Sequence, residues 1–136
     1  MDADHPFALF CTQDRLRKGA FRLLFTVPLK QNHVFRKLYA RGRSAVGAFV
    51  VVYCMRNGTK ENQLGVTAST KLGHAVVRNR ARRRLREVYR LHESELRPGF
   101  DVILVARSRC LTADFKKLEA AFLKQCAELK LLRRDA

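Results

Sequence analysis

Between Arg78 and Arg86 six of nine residues are arginine, and that run constrains the chain more than any other feature. The question is whether these side chains form one face or surround the segment. At about 100° per residue, Val77, Ala81, Leu85 and Val88 gather into a stripe about 80° wide, which predicts an amphipathic helix over Val76 to Leu91. Opposite that stripe, Asn79, Arg82, Arg83, Arg86 and Arg90 share a similarly narrow sector, with Arg78, Arg80 and Arg84 on its shoulders. The reading is a positively charged ridge on a helix whose other side packs on a core. Glu87 is the single acid in the segment, so i,i+4 ion pairs do not neutralise it. An outside anion is required. Planar guanidinium groups take phosphate oxygens bidentately and stack on exposed bases, which favours nucleic acid over a simple anionic ligand.

The whole chain agrees with its helix. Among 136 residues, 28 Lys or Arg stand against 12 Asp or Glu, a formal charge of +16. On a body of about 14 Å radius of gyration that excess is self-repulsive, so a polyanionic partner is expected. With 47% hydrophobic residues, a chain of this length buries a real core as one domain. No window reaches the ~18 apolar residues of a membrane span. Cys11, Cys54, Cys110 and Cys126 stand far apart without a C-x-x-C pair, so neither a zinc site nor a disulfide framework is indicated. Met1 to Phe10 carries Asp2 and Asp4 and has neither the basic start nor the apolar stretch of a signal peptide. A cytoplasmic location and no membrane association are expected.

Residues 1–26 mix charges with isolated Phe residues and read as an N-terminal extension of unknown role, ahead of a domain over 27–136. The spacing of Leu16, Leu23 and Leu24 is too short to establish a helix there. Val34, Phe35, Leu38 and Tyr39 predict a helix from Gln31 to Arg41, stopped at Gly42. Ala45 to Met55 and Leu64 to Ala68 read as two strands, joined as a hairpin across Asn57-Gly58. Asp101 to Ala106 reads as a buried central strand after the Pro98-Gly99 break. A final helix is expected from a Thr112 cap, with Asp114 in its first turn, a stripe of Phe115, Leu118, Phe122, Leu123, Cys126 and Leu129, and the cations Lys130, Arg133 and Arg134 at its end. A frame of strand, loop, helix and strand differs from a helix-turn-helix, which favours RNA phosphates over a DNA groove.

Two further places carry candidate contacts. The loop Ser69 to Ala75, with Lys71, Gly73 and His74, leads into the arginine helix, where backbone amides receive phosphate. Alternation along the first long strand puts Phe49, Val51 and Tyr53 on one side and Val50, Val52 and Cys54 on the other, so both faces are apolar. One face packs on helices. The other either is covered too or forms a shallow groove where unpaired bases stack on Tyr53, Phe35 and Tyr39.

Taken together, Lys71-Leu72-Gly73-His74-Ala75-Val76-Val77-Arg78-Asn79-Arg80-Ala81-Arg82-Arg83-Arg84-Leu85-Arg86 resembles the arginine-asparagine-arginine signature of the bacterial ribonuclease P protein subunit. The flanking matches are Leu29 to Asn32, Phe35 with Tyr39, Arg41 to Ser44, Leu64 to Thr67, Pro98 to Asp101 and Val105 to Arg107. The resemblance implies an α+β fold, a two-layer α/β sandwich in αβββαβα order whose mixed sheet has a left-handed βαβ crossover, as in one domain of a small-subunit ribosomal protein. The extra strand this requires is placed around Gly42 to Val46. It further implies the protein subunit of a ribonucleoprotein endonuclease that removes the 5′ leader of precursor tRNA, in which the RNA subunit performs the hydrolysis with Mg²⁺. Carried over, Lys71, Arg78, Asn79, Arg80, Arg82, Arg83 and Arg86, with Arg90 on the same ridge, hold ribonuclease P RNA. Phe35, Tyr39, Val51 and Tyr53 form the cleft for the single-stranded leader. Thr70 and His74 depart from the commoner Lys and Asn.

No catalytic residue, metal ligand or obligatory protein partner is expected of the chain itself. Its four His and scattered acids suggest no acid-base pair or two-metal cluster, and Glu93 and Glu95 read as solvent-facing. The alternatives are a non-enzymatic structural RNA-binding protein of ribosomal type, which would share the size and charge, and a stand-alone nuclease.

Overall fold

The apolar run around Asp101 to Ala106 becomes the middle of a five-stranded sheet. The structure, a computed structural model, describes residues 23–133. Its elements are β1 (Thr26–Pro28), α1 (Asn32–Arg41), β2 (Arg43–Val46), β3 (Val50–Arg56), β4 (Asn62–Ala68), α2 (Ala75–His92), β5 (Phe100–Ala106) and α3 (Phe115–Glu128), with 3-10 turns at Thr70–Leu72, Glu93–Glu95 and Ser108–Leu111. The sheet order is β1-β4-β5-β3-β2. β4 and β5 are parallel neighbours connected through α2, whereas β5 runs antiparallel to β3 over seven residue pairs, from Val50 with Ala106 to Arg56 with Phe100. This is the α+β order expected, with β1 added at the edge.

β3 and β4 do not form the hairpin that Asn57-Gly58 predicts. β5 lies between them, because a strand apolar on both faces is best buried with neighbours on both edges. The turn still has a job. Asn57 donates its side-chain amide to Asp101 Oδ1 at 2.9 Å, and its backbone N–H to the Gly99 carbonyl at 2.9 Å, so the connection crosses the start of β5 and is pinned there. The true hairpin is β2–β3. Gln125, buried on α3, closes it by donating to the carbonyls of Ala45 and Val50 at 2.7 and 2.8 Å.

Helices cover both sheet faces. On one, Val50, Val52, Cys54, Leu64, Val66, Val102 and Leu104 pack against Ala81, Leu85, Val88 and Tyr89 of α2 and Leu118, Phe122 and Cys126 of α3. On the other, a smaller cluster joins Leu29, Phe35, Leu38 and Ile103, with Val34, Tyr53, Met55 and Val105 at its margin. The N-cap position of α3 is Asp114, not Thr112, without a side-chain cap bond, and the helix ends at Glu128, so Lys130 and Arg133 lie beyond it; Arg134 lies outside the described residues. Cys54, Cys110 and Cys126 are buried free thiols, and burial raises the pKa of each. Cys11 lies outside the described residues.

Glu93 is not solvent-facing. It is 1% exposed and accepts hydrogen bonds from Leu24 N at 2.6 Å, Phe25 N at 3.0 Å and Thr26 Oγ1 at 2.5 Å. Tyr89 Oη, Thr26 and Asn62 continue this buried network, and Asn62 Oδ1 takes the Phe100 amide at 2.9 Å. β1 is thereby tied to the end of α2. Val27, the first residue of the expected domain, lies inside β1, so described residues on either side of it belong to one sheet. Residues 1–22 of the proposed extension, Leu16 included, lie outside the described residues, and Leu23 and Leu24 are not helical.

Candidate nucleic-acid interface

Ala81, Leu85 and Val88 face inward as their spacing predicts, whereas Val77 is half-buried beside Gly73, and the buried sector of α2 is wider than the stripe. Tyr89 and Arg86 lie within it, Arg86 at 2% exposure. Counting Tyr89 and Arg86 as inward shifts the inward direction by about 50°, and the outermost line becomes Val76, Arg80, Arg83 and Leu91, with Glu87 half-buried on it. Arg86 is therefore corrected from the ridge to the interior. The helix starts after Gly73, whose φ of 138° suits glycine and no other residue. Ser69 Oγ accepts from Lys71 N at 3.1 Å, which turns the preceding loop and leaves the Lys71 side chain exposed beside the helix start.

The other guanidinium groups divide by what holds them. Arg90 is bidentate on Glu87, at 2.9 and 2.6 Å. Arg84 donates to the carbonyls of Leu111 and Ala113 and lies over the Phe115 ring, so it braces the loop before α3. Arg82 donates to Asn79 Oδ1. Arg78 is half-buried, and its Nε finds no hydrogen-bond partner. Arg80 and Arg83 are exposed and, with Lys71, present the most accessible charge. Of the predicted contacts, these three are free to meet phosphate without rearrangement, while Arg78, Asn79 and Arg82 lie at their margin.

The opposite face of the sheet is partly open. Phe35 is 5% exposed and sits on Gly65, where a Cβ would lie 2.7 Å from its ring. It is a wall of the core, not a surface a base reaches. Tyr39 is 45% exposed; its ring meets Tyr53 edge-on at 4.9 Å. Burial raises its pKa, against the lowering effect of a side-chain hydrogen bond from Thr67. Strand register places Val46, Val51, Val105 and Thr67 in one row across β2, β3, β5 and β4, and Val46 is 68% exposed. Tyr39, Tyr53 and this row make a shallow apolar floor. Val46, Thr67 and Val105 were not singled out from the sequence; alternation along β4 and β5 was the available signal, but it needs the strand order to place them beside Val51.

Among the described residues no group of three or more His, Cys, Asp or Glu is arranged to hold a metal ion. No helix among them is long and apolar enough to cross a membrane. The family model for ribonuclease P matches residues 10–130. The ribonuclease P protein component of Alkaliphilus oremlandii is 36% identical over 104 residues, covering 76% of this chain and 91% of that protein. That of a Thermoanaerobacter species is 43% identical over 98 residues, 72% of this chain and 84% of its own. Among solved structures, the Staphylococcus aureus RNase P protein superimposes with a TM-score of 0.69 at 28% identity, over 78% of this chain and 97% of that one. The Thermotoga maritima RNase P protein gives 0.65 at 26% identity, over 71% and 92%. With a charged helix, an open sheet face and matches along most of its length, this chain belongs to the ribonuclease P protein family.

Proposed function

We propose that the chain is the non-catalytic protein subunit of ribonuclease P and promotes removal of the 5′ leader from precursor tRNA. Lys71, Arg80 and Arg83 hold the RNA subunit through its phosphates, with Arg78, Asn79 and Arg82 beside them. The floor of Tyr39, Tyr53, Val51, Val105 and Thr67 takes unpaired leader nucleotides. Uncleaved substrate alone carries a leader, so contacts on that floor favour substrate over product, while the basic helix offsets RNA–RNA repulsion. Hydrolysis is assigned to the RNA subunit with its Mg²⁺, as the resemblance to the ribonuclease P protein subunit implies. The observation that carries this reading is the exposed pair Arg80 and Arg83 on a helix whose single acid is already engaged by Arg90.

Reconstitution tests it. Leader cleavage at near-physiological Mg²⁺ is expected to require both this protein and a ribonuclease P RNA. Cleavage by the protein alone would make it a nuclease in its own right, and no effect on the RNA would make it a structural RNA-binding protein.

A further inference from the structure

α1 forms the wall of the open floor and has a basic side whose position the sheet fixes. The helix crosses the sheet from Phe35, seated on Gly65 of β4, to Tyr39, against Tyr53 of β3. Its two flanks therefore overlook different rows. One overlooks Met55, Asp101 and Gln63; the other overlooks Val51, Val105 and Thr67, the open row. Taking Phe35 as pointing at the sheet, Tyr39 lies about 40° and Arg36 about 100° toward the open row, while Val34 and Lys37 lie about 100° and 160° the other way. The electrostatics agree: Thr67 lowers the pKa of Tyr39 and Lys37 lowers that of Asp101, each against a larger rise from burial.

Arg36 is exposed, and α1 contains no acid to pair with it. It stands one turn before Tyr39, above the apolar floor. A base stacked on Tyr39 and Tyr53 leaves its phosphate outside, on the solvent rim, where this guanidinium is the nearest cation α1 offers on that flank. We infer that Arg36 binds a backbone phosphate of the single-stranded leader as the strand leaves the floor over α1. It is a specificity residue for leader length and not for base identity. The inference rests on the leader-floor reading and adds to it a direction of exit.

The test compares precursor tRNAs with leaders of increasing length and mature tRNA, bound to the reconstituted holoenzyme. With the wild-type chain, lengthening the leader beyond the few nucleotides that fill the floor is expected to tighten binding. Arg36→Glu removes most of that gain, roughly threefold or more, and leaves mature tRNA unaffected, while Arg36→Ala lowers the salt slope of leader binding by about 0.7. Lys37→Glu makes the same charge change on the other flank and is expected to keep the gain. A gain that survives Arg36→Glu, or that Lys37→Glu abolishes equally, overturns the inference. Tyr53→Ala reports separately on the floor, since it is expected to weaken binding even with the shortest leaders. Leader discrimination that survives Tyr53→Ala would count against the floor reading itself.

Discussion

Two arginines three residues apart in sequence separate stability from binding. Arg86 is buried and Arg83 exposed. Arg86→Ala is expected to cost about 1–3 kcal/mol in urea unfolding, since a buried stem and its contacts are lost, with little change in the salt slope of RNA binding. Arg83→Ala is expected to do the reverse: stability within about 0.5 kcal/mol of wild type and a slope smaller by about 0.7–0.9, the effect of one lost phosphate contact. Equal slopes for Arg83→Ala and wild type would remove Arg83 from the interface. Glu93 shows the same gap between residue type and role. Its carboxylate accepts from two backbone amides and a hydroxyl in β1 and the residues before it, and Glu93→Ala, which leaves these donors unmatched, is expected to cost more than about 2 kcal/mol. A loss below about 0.5 kcal/mol would show that the network is dispensable.

At the scale of elements, the end of α2 is joined to α3 through a histidine. His92 has Nδ1 2.6 Å from Glu95 and Nε2 2.9 Å from Glu119, and only an imidazolium donates from both nitrogens. Burial opposes that charge, but the bonds to Glu95 and Glu119 outweigh it and raise the pKa. A raised folded-state pKa contributes stability that is complete below the ordinary value of about 6.5 and is lost as pH rises through the raised one. The melting temperature is therefore expected to fall on going from mildly acidic to alkaline pH, and His92→Gln to flatten that part of the profile; an unchanged profile would rule the link out. α3 ends in a paired-bond turn, Leu131 N to the Cys126 carbonyl at 2.8 Å and Lys130 N to that of Ala127 at 3.1 Å. Lys130 bears the left-handed conformation, φ 58°, that glycine adopts without strain. Lys130→Gly is expected to stabilise the fold by up to about 1 kcal/mol, measured as a shift in denaturation midpoint.

For the whole molecule, charge and apolar surface are assigned to opposite faces of one sheet, α2 outward on the first and the floor beside α1 on the second. Affinity for the RNA subunit is expected to fall by orders of magnitude between 50 and 200 mM salt if about six phosphates are neutralised, and a flat response would contradict a phosphate grip. Tyr53→Ala is expected to weaken precursor tRNA by about 1–3 kcal/mol if one base stacks there, with mature tRNA nearly unchanged; equal losses would remove the leader role. Much of this was legible in residue order. The periodicity of Val77, Ala81, Leu85 and Val88 and the uniform apolarity of Val102 to Leu104 are local patterns, and local patterns determine helix, strand and inward side. What they left open were matters of neighbourhood. Asn57-Gly58 reads as a hairpin turn in any chain, and only the insertion of β5 shows that it crosses a strand instead. Arg86 and Glu93 read as solvent-facing because type and spacing carry no information about which element lies over them. The sequence by itself determined that this chain has a basic amphipathic helix beside an apolar sheet and a large excess of positive charge. The tertiary structure alone decided which cations remain exposed and which apolar rows stay open, because burial depends on contacts between segments distant in the chain.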